Sequence, residues 1–505
     1  VVESILQLWR DTRNRILVCT PSNSAADLVV ERLCDRINRR EMHRVNALSR
    51  DRLGVSEKVF PYCSFDETYQ QFYIPQKEVL DKFRIVVATC VTAGVIDGYF
   101  THIFVDESGH GSEPETLVPL TNLWSDSTNL ILAGDPKQLG PVIRSVVAKR
   151  HGLAISLLER WCTDTPLYQP QEVEDELQEW EIIKPGEKKP YWMKNRFPNM
   201  DGTVDPRTPE DYLNSTAEAV KKRNPVFITK LVDNYRSHPS LLKLPSDLFY
   251  DGELIPCANK DLVSQFCDWE YLPAKKFPLI FHGVRGKDER ESNSPSWFNA
   301  HEVSVVCDYL NKLMKSKYAV KEHHIGIVTP YRKQVEKIRI MLRKYGWSGI
   351  QVGSVEEFQG QERKIIIIST VRSSTQYLQT DYQHNLGFLR NPKRFNVSIT
   401  RAQSLLVVVG NPDVLSTDPC WNSLLKYCMD NKAYTGCKFE LQGTEEQDMK
   451  QLIEDLQSKL TLSENTPSQE TQITPSDPGN VTPSVQSFPS QVAMEEDPEW
   501  VIVEK

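Results

Sequence analysis

Short, unbroken apolar runs recur along this chain, each closed by polar residues, and they constrain its fold more than any other feature. The first half carries ILVCT (16–20), RIVVATC (84–90), HIFVDES (102–108) and NLILAGDP (129–136). The second half carries FPLIFHG (277–283), HIGIVTP (324–330), QVGSV (351–355), KIIIIST (364–370) and SLLVVVGN (404–411). A strand with one wet face alternates apolar and polar residues. An unbroken run must be covered on both faces, which is the condition of parallel strands in an α/β protein. Helical segments are expected between the runs, over Val1 to Trp9, from about Ala25, around Ser156 to Trp161, and near Asn299, Tyr331 and Trp421. Two α/β units of similar size in tandem make the cleft between them the natural ligand site.

At 505 residues and 39% hydrophobic, the chain can build two or more cores. No apolar run approaches the ~20 residues of a membrane span, and no signal-peptide pattern opens the chain. It begins at Val1 on the amphipathic segment VVESILQLW and is expected to be a fragment of a longer protein. The 11 cysteines are scattered, with no Cys-x-x-Cys pair, which argues against a zinc or disulfide framework and for a reducing cytosolic or nuclear compartment. Cys19 and Cys90 sit in apolar runs and are expected to be buried. The net charge of −8 at first argues against a nucleic-acid binder. Much of it falls after residue 440, so the preceding residues are near neutral and local basic grooves are compatible with the count.

The expected organisation is a first α/β domain at 1–168, an insertion or linker at 169–224, a second α/β domain at 225–440, and an acidic Ser/Thr/Pro-rich tail at 441–505. The 169–224 stretch is rich in Pro, Glu, Lys and Trp and shows no period. The tail lacks the apolar content to offset its ordering entropy and is expected to be disordered. One short helix around Met449 to Leu460 is expected before it. Its last stretch, EEDPEWVIVEK, reads equally as a docking motif or a frayed end.

In an open parallel sheet, ligands sit at the carboxyl ends of the strands. Asp106 and Glu107 lie at such an end, where an Asp can hold Mg²⁺ and a neighbouring Glu can orient or deprotonate an attacking water. The next apolar run ends in Gly134-Asp135-Pro136-Lys137-Gln138, and Gln138 beside an acid pair can sense a γ-phosphate. The alternative for that stretch is a plain polar turn. Arg236, in NYRSHP, and Arg401, in FNVSITRAQ, offer planar forks for a phosphoryl group. In VGSVEEFQGQER (352–363), Gly353 and Gly360 allow tight turns, Ser354 can touch a backbone phosphate, and Glu362 can bind a ribose hydroxyl. Three loops suit a nucleic-acid strand: Pro21-Ser22-Asn23-Ser24 at a helix start, Thr89 at a strand end, and Thr329-Pro330-Tyr331-Arg332, where Tyr331 can stack a base. Simple N-capping by Ser22 or Asn23 is the competing reading of the first loop.

Read in order, these stretches resemble the motif set of superfamily one helicases: PSNSAAD, ATC, VDESG, GDPKQLGP, NYRSHP, VTPYRKQ, VGSVEEFQGQER and NVSITRAQ. Within that superfamily they are similar to the up-frameshift-type RNA helicases. Longer phrases are similar to the Moloney leukemia virus 10-like (Armitage-type) branch, among them LAGDPKQLGPVIRS, DNYRSHPSLL, FHGVRGKDERESNSPS and NLGFLRNPKRFNVSITRA. The resemblance spans residues 1 to about 440. It implies two tandem RecA-like P-loop NTPase domains with parallel sheets, the first truncated at its N-terminus, followed by the disordered tail. It also implies ATP and Mg²⁺ as cofactors and 5′→3′ movement on single-stranded RNA. The setting it implies is mRNA decay and RNA-mediated silencing in cytoplasmic ribonucleoprotein granules (P-bodies), with Argonaute and decay factors as partners, no membrane, and a monomeric protein.

Carried over residue by residue, the resemblance implies that Asp106 holds Mg²⁺, Glu107 activates water and Gln138 contacts the γ-phosphate. Arg236 and Arg401 are implied as arginine fingers, Tyr235 as the adenine stack and Glu362 as the ribose contact. Pro21, Ser22, Asn23, Thr89, Pro330, Tyr331 and Ser354 are implied along the RNA path. The chain departs from the family in three ways. Ser108 stands where the family has Ala, the stretch from about Pro170 to Arg223 is longer, and no Gly-Lys-Thr phosphate loop occurs. The family places that loop just before a helix like Val1–Trp9, so residues 1–505 alone are expected neither to hydrolyse nor firmly to bind ATP. Two other readings stay open: a catalytically inactive RNA-binding scaffold that recruits silencing factors, and a DNA helicase.

Overall fold

The computed structural model describes residues 1–165, 168, 227–291, 294, 296–374, 388–389 and 391–440. The insertion or linker expected at 169–224, the tail at 441–505 and the short helix around Met449 to Leu460 lie outside the described residues.

Two parallel sheets form, as tandem RecA-like domains require. The first has five strands, in the order Met42–Arg44, Ile85–Thr89, Ile16–Thr20, His102–Val105, Asn129–Leu132. The second has six, in the order Gln351–Gly353, Ile325–Val328, Arg363–Ser369, Ala402–Gly410, Leu279–Gly283, Tyr434–Gly436. Every pairing within both sheets is parallel.

Most of the unbroken apolar runs behave as their pattern demands, whereas Asn129–Leu132, at the edge of its sheet, is only partly buried. Ile16 and Val18 point into one core, with Ile85, Val87 and Phe104. Leu17 and Cys19 point into the core on the other face, with Val86, Ala88, Ile103 and Val105. In the second sheet Phe281, Ile366, Ile368 and Val408 fill one face, and Ile280, Ile365, Ile367, Val407 and Val409 fill the other. Cys19 and Cys90 are buried as expected. Among the described residues no helix is long and apolar enough to cross a membrane.

Helices cover the faces at the expected places: Asn23–Leu33, Leu157–Asp164, Ala300–Met314, Arg332–Tyr345 and Pro419–Asp430. Side-chain caps start several of them. Ser22 Oγ accepts from Ala25 N–H (3.2 Å), Ser156 Oγ from Glu159 N–H (3.1 Å), and Asp418 from Trp421 N–H (3.1 Å). The stretches 102–108 and 129–136 are strand only to Val105 and Leu132, about where their apolar residues stop. The residues beyond turn away to form the site.

Candidate functional site

The strand His102–Val105 lies between Ile16–Thr20 and Asn129–Leu132 and delivers Asp106 and Glu107 at its carboxyl end. Asp106 N–H donates to the Cys19 carbonyl (2.9 Å), extending the ladder by one residue. The chain then turns sharply, with Glu107 at φ 54. A non-glycine residue held in the left-handed region marks strain of the kind that collects at functional sites. Ser108 locks the turn, since both its N–H (2.9 Å) and its Oγ (3.0 Å) donate to the Ala133 carbonyl. The loop after Leu132 presses against this turn. A Cβ on Gly109 would stand 2.9 Å from the Asp135 carbonyl oxygen, so only glycine fits there. Burial raises the Asp106 carboxyl above its ordinary range. Burial also raises Glu107, helped by the neighbouring Asp106 charge and opposed by Arg401.

Arg401 follows the helix Pro392–Ile399 and is 1% exposed. Its Nε donates to the Val397 carbonyl (3.0 Å), and its Nη2 donates to Thr400 Oγ1 (3.0 Å) and to Gln138 Oε1 (3.2 Å). That last bond crosses from the second sheet's unit to the first. Burial, then the like charge of Arg236, pulls Arg401 down to about 9, while Glu107, Tyr250 and Asp135 oppose the fall. It remains a cation at neutral pH. Arg236 lies alongside, its Nε on Glu362 and its Nη1 on the Thr400 carbonyl (3.3 Å). Burial alone would raise Glu362, but Arg236 and Gln403 outweigh it and hold the carboxyl below its ordinary range. Glu362 therefore anchors Arg236 in this structure. Tyr235 is 65% exposed beside it, and its hydroxyl donates to Asp233 (3.3 Å).

These contacts bring Glu107, Gln138, Arg236, Arg401 and Glu362 together between the two sheets, with Asp106 next to Glu107 and the exposed Tyr235 next to Arg236. Residues that sequence reasoning passed over add further contacts between the same two halves. Gln359 Nε2 donates to Glu107 Oε2 (3.5 Å) from the loop that also carries Gly360. Lys393 Nζ bonds both oxygens of Glu159 (2.7 and 2.8 Å). Tyr250 Oη donates to Asp135 Oδ2 (2.7 Å), and Asn396 Nδ2 donates to the Lys137 carbonyl (3.0 Å). No local pattern announces these four, because each partner lies more than a hundred residues away.

The residues expected along a nucleic-acid path fall into two groups. Thr20 and Thr89 are paired in register, so Pro21, Ser22 and Asn23 stand beside Thr89 at the carboxyl edge of the first sheet. Ser22 caps its helix, Asn23 Oδ1 accepts from Arg44 Nη2 (2.9 Å), and Thr89 caps the turn Cys90–Ala93. Pro330 and Ser354 lie at the carboxyl edge of the second sheet, where Val328 pairs with Gly353. Ser354 exchanges hydrogen bonds with Glu357 (3.4 Å each way).

Tyr331 corrects the expectation placed on it. Its ring is 3% exposed, with the Arg372 guanidinium 5.7 Å from its centroid. Arg372 in turn stacks over Trp297 (4.3 Å) and pairs with Asp288 (2.6 Å). The ring is therefore part of the core, with the Arg372 guanidinium beside it, and no face is open to a base.

No group of three or more His, Cys, Asp or Glu among the described residues could hold a metal ion by itself. Mg²⁺ bound with a nucleotide needs only one or two carboxylates, the phosphates supplying further oxygens. A single Asp106 with free acceptor capacity fits that demand.

Two family models, each described as an AAA domain, match residues 212–413 and 63–146. The chain is 42% identical over 486 residues to "Putative helicase MOV-10" of Gallus gallus, covering 90% of this chain and 45% of that protein. It is 45% identical over 447 residues to "RNA helicase Mov10l1" of Homo sapiens, covering 86% and 33%. It is 35% identical over 473 residues to "Probable RNA helicase armi" of Drosophila melanogaster, covering 86% and 36%. The chain spans less than half the length of each of these relatives.

Proposed function

The chain belongs to the MOV-10, Mov10l1 and Armitage family of helicases, and from that membership and the geometry of the cleft we propose that it forms the motor of an ATP-dependent RNA helicase. One observation carries the reading. An amide and an acid from one sheet meet an arginine and an amide from the other, with Arg401 on Gln138 (3.2 Å) and Gln359 on Glu107 (3.5 Å). A nucleoside triphosphate bound there would be gripped from both sides, so its cleavage would change how the two halves are held together.

In this reading Asp106 holds Mg²⁺, which neutralises charge on the phosphates when bound. Glu107, raised by burial, is a stronger base than a surface carboxylate and orients the attacking water. Arg236 and Arg401 face the phosphoryl group and contribute roughly 10³–10⁵-fold in rate, as such arginines do elsewhere. Gln138 reads the terminal phosphate, Tyr235 stacks on the adenine, and Glu362 exchanges Arg236 for the ribose. Pro21, Ser22, Asn23, Thr89, Pro330 and Ser354 line the path of single-stranded RNA through hydroxyls and backbone N–H groups. Movement is 5′→3′, with unwinding or ribonucleoprotein remodelling as its outcome. The setting is mRNA decay and RNA-mediated silencing in cytoplasmic granules, with Argonaute and decay factors as partners.

The test is RNA-stimulated ATP hydrolysis by the full-length protein. Glu107→Gln should cut the rate by about 10² or more while leaving RNA binding intact. A full-length protein without RNA-stimulated turnover, or a Glu107→Gln variant as fast as wild type, ends the enzyme reading in favour of a binding scaffold. Competing RNA and DNA strands of one sequence decide the sugar. Duplexes with a 5′ or a 3′ overhang decide the polarity.

A further inference from the structure

The cleft contains a closed ring of hydrogen bonds, and most of its members lie outside the residues given roles above. Both arms start on the helix Pro392–Ile399. In one arm Asn396 Nδ2 donates to Tyr250 Oη (2.8 Å), and the Tyr250 hydroxyl donates to Asp135 Oδ2 (2.7 Å). In the other, the Val397 carbonyl accepts from Arg401 Nε (3.0 Å), and Arg401 Nη2 donates to Gln138 Oε1 (3.2 Å). The arms meet where Gln138 Nε2 donates to Asp135 Oδ2 (2.8 Å). Both ends of the Gln138 amide are therefore held, one by an arginine and the other by a carboxylate that Tyr250 steadies from across the cleft.

Tyr250 is suited to this. It ends the helix Pro239–Phe249 and is partly buried, packed against the core that contains Phe249. Burial, with the Asp135 charge next, pushes its phenol far above the ordinary value, so it stays protonated and remains a donor at working pH. Asp135 Oδ2 accepts from both Tyr250 and Gln138, so a shift of the tyrosine moves the amide with it.

We propose that Tyr250 is a positioning residue for Gln138, acting through Asp135 and reporting to it whether the two halves of the cleft are closed. The proposal rests on the phosphate-reading role given to Gln138 above. When a phosphoryl group draws Arg401 away from Gln138 Oε1, Asp135 still holds one N–H of the amide. The second N–H is then aimed at the phosphate. Opening of the cleft withdraws Tyr250, and the aim is lost. Hydrolysis is thereby tied to closure, because a displacement of about 1 Å near reacting groups costs on the order of 10²-fold.

The test compares wild type, Tyr250→Phe, Asp135→Asn and the double variant in the full-length protein. Tyr250→Phe should lower RNA-stimulated kcat about ten-fold, the scale of one hydrogen bond to a charged group. KM for ATP and the affinity for RNA should stay within about two-fold of wild type. The double variant should be no slower than the slower single variant, since both break one linkage. Hydrogen exchange on the nucleotide-free protein gives a second readout that needs no turnover. Amides at 134–140 should exchange faster in Tyr250→Phe, while the strands Ile16–Thr20 and Arg363–Ser369 keep their protection. Unchanged exchange at 134–140 overturns the proposal, as does unchanged kcat in an active enzyme or a loss shared by kcat, KM and the strands alike. If wild type fails to hydrolyse ATP but the exchange result appears, the positioning stands and the phosphate-reading role of Gln138 falls.

Discussion

Glu302 is a carboxylate enclosed at the start of the helix Ala300–Met314, with no exposed surface. It accepts from Ser369 Oγ (2.6 Å) and Val371 N–H (2.9 Å), yet burial outweighs these bonds and drives it from 4.5 up to about 8. The folded protein therefore keeps a proton that the unfolded chain gives up. The stabilisation is full below the ordinary carboxylate value and is lost as pH rises through the folded one, about 8. Each unit of such a difference is worth about 1.4 kcal/mol. Melting temperature should fall between pH 5 and pH 8 more steeply in wild type than in Glu302→Gln, which carries a neutral amide of the same shape. Two parallel curves would rule this out. At this scale the sequence was legible where chemistry sits at a strand end, as with Asp106, Glu107 and Arg401. It was misleading at Tyr331. That ring is 3% exposed beside Arg372, a residue far from it in the chain.

Among the elements, the strand Ile325–Val328 shows how a core residue reaches the site. A Cβ on Gly326 would stand 2.6 Å from Phe358 Cε1 and 2.9 Å from Ile366 Cδ1. Phe358 is fully buried and precedes Gln359, so the bare glycine seats the loop that meets Glu107. Gly326→Ala should cost about 1–3 kcal/mol through overpacking, read as a lower midpoint in denaturant. An unchanged midpoint would mean the ring slides freely. Two of the elements that escaped sequence reading did so for plain physical reasons. Met42–Arg44 pairs with Ile85–Thr89 but contains a histidine and an arginine. Arg44 is tolerated at 0% exposure because Asp27, Asn23 and the Val45 carbonyl satisfy its guanidinium. The helix Pro392–Ile399 lies in a phrase read only as a motif, although Asn391 caps it and Pro392 suits its first turn.

For the whole molecule, a further link between the two halves is the pair of Lys393 with Glu159, whose side chains are 23% and 9% exposed. Lys393→Met leaves Glu159 without its cation in a poorly solvated place, a loss of about 1.5–3 kcal/mol. Small-angle scattering should then report a larger radius of gyration, and Glu159→Gln in the same chain should recover part of the compactness. A single Lys393→Met as compact as wild type would show that the pair does not hold the halves together. The sequence by itself determined two parallel sheets covered on both faces, and it set acids, an amide and arginines beside strand ends. Burial on both faces imprints an unbroken apolar run, and a run is local. Only the tertiary structure decided which sheet edges meet. Asp106 and Gln138 follow their strands, whereas Glu362 and Arg401 precede Arg363–Ser369 and Ala402–Gly410. The carboxyl edge of one sheet therefore faces residues at the amino edge of the other. Contacts that set such an arrangement, Tyr250 with Asp135 and Lys393 with Glu159, join residues far apart in the chain, and no period along a sequence records a distance of that kind.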